Sequence, residues 1–286
     1  MELLNRRTIE ELIFKILMLL SIVIVISSLV IIVGLIIING APALTLGIIS
    51  KTPTSEDYIG KGTGGILNAI VGSIFLALPA TGLAFLISIG IALYLQSDFT
   101  RNSFSTFVRF ILDVLWGIPS SLYGVFIFII MIAIGFRASL ITGIIALTLL
   151  EIPIMTRYMD ESIKMVPIGL KESAYSLGST KFETAVKIVR RQAFPGILAG
   201  VLLGLGRGIG DAASVLFTAG YSNNIPGSLF DGAASMPVLI FRYYNSPFAA
   251  VRERAYAAAF ILFIIVLLIS IISRTITKRY TRHLIK

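Results

Sequence analysis

Phe194-Pro-Gly-Ile-Leu-Ala-Gly-Val-Leu-Leu-Gly-Leu-Gly-Arg-Gly-Ile-Gly-Asp-Ala-Ala-Ser-Val-Leu-Phe-Thr-Ala-Gly220 is the stretch that decides the fold. It is apolar for long enough to cross a bilayer, which takes about 20 helical residues. Near its middle stands Arg207, with Asp211 one helical turn on. Ionisable groups at membrane depth are costly, and they usually face a water-filled path or a partner helix.

The rest of the chain agrees with a membrane reading. Of 286 residues, 56% are hydrophobic and only 14% are charged, with a mean hydropathy of +0.93. Too little polar sequence remains for a separate soluble domain. There is no cysteine, so disulfides, thiolate metal sites and Cys nucleophiles are excluded. The single histidine, His283, reads as a tail residue, which removes His-based triads and metal centres. The expectation is an all-α, polytopic protein that works without a cofactor.

Six apolar stretches lie near 12–38, 66–95, 110–136, 140–158, 195–221 and 256–273. Each is expected to be helical, since an open strand in lipid leaves its backbone groups unpaired. With the N-terminus inside, the inner segments hold 17 Lys and Arg and the outer ones six, with Arg207 left inside a helix. That asymmetry places both termini in the cytoplasm and accounts for the +9 net charge without nucleic acid. The first apolar run, about 25 residues, exceeds a signal-peptide core; it reads as a retained anchor despite Ala41-Pro-Ala43. The outer loop over 50–65, rich in Gly, Thr, Ser and Pro, is expected to be flexible. Neither Gly60-Lys-Gly-Thr63 nor Gly206-Arg-Gly-Ile-Gly-Asp211 completes a phosphate-binding loop, so the chain has no ATP site of its own.

The one substantial inner loop, 164–192, has a defined design. Pro167 opens a helix over 168–177 and Gly178 stops it. Thr180-Lys-Phe-Glu183 is a capping box for a second helix. Two short helices with a bend between them suit either a basic loop on anionic lipid or a docking element for a cytoplasmic partner.

On a continuous helix at 100° per residue, Arg207, Asp211, Ser214 and Thr218 share one face with Gly196, Gly200, Gly204 and Gly208. Small residues permit close helix approach. The polar groups then form either a self-neutralising Arg–Asp pair at a packed interface or the lining of a pathway. Weaker candidates are Asp113, Glu151 before Pro153, and Ser120 and Ser121 after Pro119, the last three as partners for backbone groups freed at the prolines. For these, and for Trp116, helix packing is the expected role.

Glu172-Ser173-Ala174, three further residues, Gly178 and then Pro195 resemble the EAA loop of ABC importer permeases. Gly64-Gly-Ile-Leu-Asn-Ala-Ile-Val-Gly-Ser73, Asp113-Val-Leu-Trp-Gly-Ile-Pro-Ser120 and Gly208–Gly220 resemble the phosphate transport permeases of the PstA type. Ser173 and Phe194 depart mildly from the loop pattern, and Asp211 stands where the family usually has Glu. The resemblance implies a single permease domain over 1–286 with the type I importer fold. It implies a second permease subunit, two cytoplasmic ATPase subunits docked at Glu172, Ser173, Ala174 and Gly178, and an extracytoplasmic phosphate-binding protein. In that setting Arg207 would contact the anion, since guanidinium matches phosphate oxygens, and Asp211 would restrain it. Rival readings are a permease for sulfate or molybdate, and a secondary transporter or channel that works without an ATPase.

Overall fold

A computed structural model describes residues 2–96 and 98–281; His283 lies outside the described residues. Helix α1 (Glu2–Ala43) carries the first apolar run, α2 is Leu67–Tyr94, and α3 (Asn102–Gly117) and α4 (Ser120–Ala133) follow. Then come α5 (Leu140–Lys164), α6 (Ile168–Ser176), the helical run α7 (Lys181–Gln192) and α8 (Phe194–Gly210). Finally α9 is Met236–Tyr244 and α10 is Ala249–Thr281. Four of these helices are long and apolar enough to cross a membrane, and counting two bent pairs as one span each makes six.

Two expected spans are broken, one at a proline and one after a glycine-rich turn. The third stretch splits into α3 and α4 at 97°. Pro119 offers no N–H and pushes Ile118 into extended backbone (φ −72°, ψ 131°). The fifth stretch does not run to Tyr221: α8 ends at Gly210, and Asp211 is extended (φ −81°, ψ 124°). Gly206, Gly208 and Gly210 leave the last turn weak, and Asp211 offers the backbone ahead of it a competing partner. The fourth stretch, by contrast, runs past Tyr158 to Lys164.

Helix α5 is the centre of the molecule. Of its most apolar window 72% is buried, against 33% for α2, 17% for α10 and none for α1. Its middle packs Leu147 and Leu150 with Leu76, Tyr123 and Val215. Toward α6 it packs Met155, Met159 and Ile163 with Ala84, Val189 and Ile197. At the opposite end of the bundle, Ile66, Leu239, Tyr243 and Ala255 form a separate cluster around α9 and α10.

The glycines of α8 explain its seat on α5. A Cβ added at Gly196 would meet Ser162, at Gly200 Tyr158, at Gly204 Met155 and at Gly208 the Glu151 carboxylate. The i, i+4 ladder therefore runs antiparallel down one face of α5, and backbone-to-side-chain contact replaces side-chain interdigitation.

The loop over 50–65 is tied down rather than slack. Asp57, fully buried, accepts from the Thr54 backbone and hydroxyl and from Gly64 N–H at 3.0 Å. Arg254 of α10 pairs with it at 2.7 Å and also donates to the Asp57 and Gly62 carbonyls. Burial works to raise the Asp57 pKa, but these hydrogen bonds and the Arg254 charge outweigh it and hold the carboxyl below 3.8.

Candidate functional site

The break after Gly210 separates the four residues expected on one face. Asp211 turns away from Arg207 and accepts from the Ser214 backbone N–H at 2.8 Å and from the Ser214 hydroxyl. It thereby caps a short turn in which Thr218 Oγ1 donates to the Ser214 carbonyl at 2.8 Å. Ser214 and Thr218 are fully buried. The Thr218 carbonyl accepts from Ser139 N–H at 2.9 Å and from the Thr142 hydroxyl at 2.7 Å. With Asp231 and Leu229, it satisfies donors that the first turn of α5 leaves free. Asp211, Ser214 and Thr218 are thus brought together, as a hydrogen-bonded support for a broken helix.

Arg207 stands apart. It is exposed, and among the described residues it has neither an ion pair nor a hydrogen bond, so the expected pairing with Asp211 does not form. It lines an open groove of about 640 Å³ between α8, α10 and the foot of α5, together with Arg274, Trp116, Tyr158, Ser270 and Ser273. No carboxylate lines this groove. Two guanidinium groups, three hydroxyls and apolar walls make a local environment suited to an anion. Trp116 serves as a wall, its ring 6.0 Å from that of Tyr158.

Behind this groove Glu151 is fully buried, and neither carboxylate oxygen has a hydrogen-bond partner among the described residues. It does not satisfy carbonyls near Pro153; Ser88 reaches the Ile152 carbonyl at 3.2 Å instead. Nor do Ser120 and Ser121 bridge the Pro119 break, where the Tyr123 hydroxyl donates to the Leu115 carbonyl at 2.7 Å. Asp113 pairs with Arg157 at 3.1 Å.

At the α6 end the local sequence rules hold closely. Gly178 takes the left-handed conformation (φ +82°) that ends α6. Thr180 and Glu183 exchange hydrogen bonds, Glu183 N–H to Thr180 Oγ1 at 3.2 Å and Thr180 N–H to the Glu183 carboxylate at 3.1 Å. Ala174 is buried, while Glu172, Ser173 and Gly178 face out. Around them Met165, Ile168, Leu177 and Phe182 are 83%, 72%, 89% and 70% exposed. Large apolar side chains exposed in this way are what an interaction surface would use.

Two elements escaped the sequence reading. Arg274 reads as one of the inner-side bases, and only the packing of α10 against α8 brings it to Arg207. Asp160 is fully buried and accepts from Arg109 at 2.8 and 3.0 Å, from Lys164 at 2.9 Å and from Gln96 at 3.1 Å. The Asp160/Lys164 spacing of i, i+4 was the available signal.

A long apolar bundle with two broken spans is the architecture of a polytopic membrane protein. The chain belongs to the family described as binding-protein-dependent transport system inner membrane component, whose model matches residues 84–286. It is 39% identical over 205 residues to the phosphate transport system permease protein PstA of Mycobacterium leprae, covering 71% of this chain and 67% of that protein. It is 36% identical over 213 residues to PstA of Yersinia pestis, covering 74% and 72%. Its fold resembles that of a chain from the inward-facing MetNI methionine ABC transporter, with a TM-score of 0.60, 18% identity, and coverage of 75% and 95%.

Proposed function

We propose that this chain is a permease subunit of an ATP-driven importer of inorganic phosphate and does no chemistry itself. It pairs with a second permease, with two cytoplasmic ATPase subunits and with an extracytoplasmic phosphate-binding protein, and both termini lie in the cytoplasm. Arg207 is the anion contact. The observation that carries this reading is the unpaired Arg207 guanidinium in a groove without a carboxylate. A free fork of N–H donors can bind a phosphate oxygen pair and give it up again. Asp211, Ser214 and Thr218 support the pathway from behind, by holding the chain broken where the anion must pass. The loop at Glu172, Ser173, Ala174 and Gly178 docks an ATPase through the exposed side chains beside it.

Labelled phosphate uptake in cells that depend on this importer tests the contact. Arg207→Gln should lower uptake roughly tenfold to a hundredfold, the worth of a charge-assisted hydrogen bond, with the complex still assembled. Unchanged uptake in an assembled complex sinks the assignment. Competition by sulfate or molybdate as strong as by unlabelled phosphate would move the substrate to another oxyanion.

A further inference from the structure

The ionic cluster at the foot of α5 has no place in anion contact, yet it joins the elements that docking would have to move. Asp160 is fully buried with both oxygens occupied. Its donors come from the turn after α2 (Gln96), from α3 (Arg109) and from the last turn of α5 (Lys164). Arg109 also donates to the Leu95 carbonyl at 2.9 Å, closing the ring onto α2. A second link starts on α6 itself. Lys171, the residue before Glu172, pairs at 2.9 Å with Asp98, in the turn between α2 and α3. Both side chains are largely buried, 13% and 22% exposed, so this pair is screened less than a surface pair.

From α3 the contacts continue inward. Across the 97° break lies α4, whose Phe128 ring sits 5.9 Å from Phe217 in the turn that follows Asp211. Tyr123 of α4 packs in the same cluster as Val215. A continuous physical route therefore runs from α6 through Lys171–Asp98 to the turn before α3, with α3 fixed to the foot of α5 by Arg109–Asp160, then to α4 and to the broken segment at the end of α8.

We propose that Lys171–Asp98 and Arg109–Asp160 are positioning pairs that make α3 and α4 move with the docking loop, so that motion of α6 is delivered to the 211–219 turn. This rests on the reading that the loop docks an ATPase. Without the pairs, α6 is held to the bundle by apolar packing, as of Leu170 and the buried Ala174, and by the chain on either side of it, with no ion pair to fix it on the turn before α3. The loop could then move under load while the turn behind Arg207 stays still.

The test uses the whole transporter in proteoliposomes, reading binding-protein-stimulated ATP hydrolysis and labelled phosphate import together. Lys171→Gln should raise the ATP consumed per phosphate imported roughly tenfold, as for loss of a coupling of about 1–3 kcal/mol. Lys171→Asp combined with Asp98→Lys should bring the ratio back toward wild type, which lost packing alone would not do. Asp160→Asn should behave as Lys171→Gln does. A Lys171→Gln complex whose ratio stays at the wild-type value overturns the inference, as does a charge swap that leaves the ratio as high as the single variant. Where ATPase subunits co-purify with the chain, an unchanged ratio counts against this inference alone. A wild-type chain that does not retain them overturns the docking reading and this inference with it.

Discussion

At the scale of single residues, the informative feature is which charges have partners. Asp57 and Arg254 are a closed pair. Arg207 is open, and Asp211 is spent on the Ser214 backbone and hydroxyl. Removing one member of a buried pair leaves the other uncompensated, so Arg254→Met should destabilise the 50–65 loop by about 3–5 kcal/mol. Limited proteolysis within that loop would read this as faster cleavage. The pH sign follows from the depressed Asp57 pKa. Its contribution is fully present above 3.8 and is lost as pH falls below that value. The loop in the wild type should therefore loosen in acid, and Asp57→Asn should show no such acid step in hydrogen exchange. Asp211→Ala should cost about 1 kcal/mol, as for a lost helix cap, read as a lower melting temperature of the purified chain.

At the scale of elements, the seat of α8 on α5 depends on having no side chain at four positions. Gly208 already lies against the buried Glu151 carboxylate. Gly208→Leu should therefore force the helices apart, at about 1–3 kcal/mol for an overpacked core, read as a lower melting temperature of the purified chain. An additional Glu151→Ala should recover part of that loss by opening space. The reverse outcome, a Gly208→Leu chain as stable as wild type, would mean that the two helices do not pack through this ladder. The same ladder was legible in the sequence as a four-residue glycine repeat. What the repeat could not say was whether the glycine face met the pathway or a neighbouring helix, because both environments favour small residues.

At the scale of the whole molecule, α1 and the α6–α7 loop both carry exposed apolar surface, in different settings. Helix α1 is largely apolar over residues 16–38 and meets α10 at Gly40, which lies against Tyr256 and Phe260, as suits a helix surrounded by lipid. The loop's exposed Leu177 and Phe182 have no such solvent. Leu177→Glu with Phe182→Glu should abolish co-purification of ATPase subunits while the chain still inserts and folds. Retention of the ATPase at wild-type level would move the docking surface elsewhere. Lost insertion is checked by the chain's own expression in the membrane fraction.

The sequence by itself determined the class of fold, the number of apolar stretches, the capped design of the loop and the positions of Arg207 and the glycines. These follow from hydropathy over about 20 residues and from cap and turn chemistry within four or five residues, both local properties. Only the tertiary structure decided that Arg207 and Asp211 do not pair, that Arg274 joins Arg207 in one groove, and that Asp160 ties three helices together. A helical wheel assumes that the helix continues. At Gly210 it does not, because three glycines and a competing Asp side chain leave the last turn too weak to carry Asp211 onto the same face.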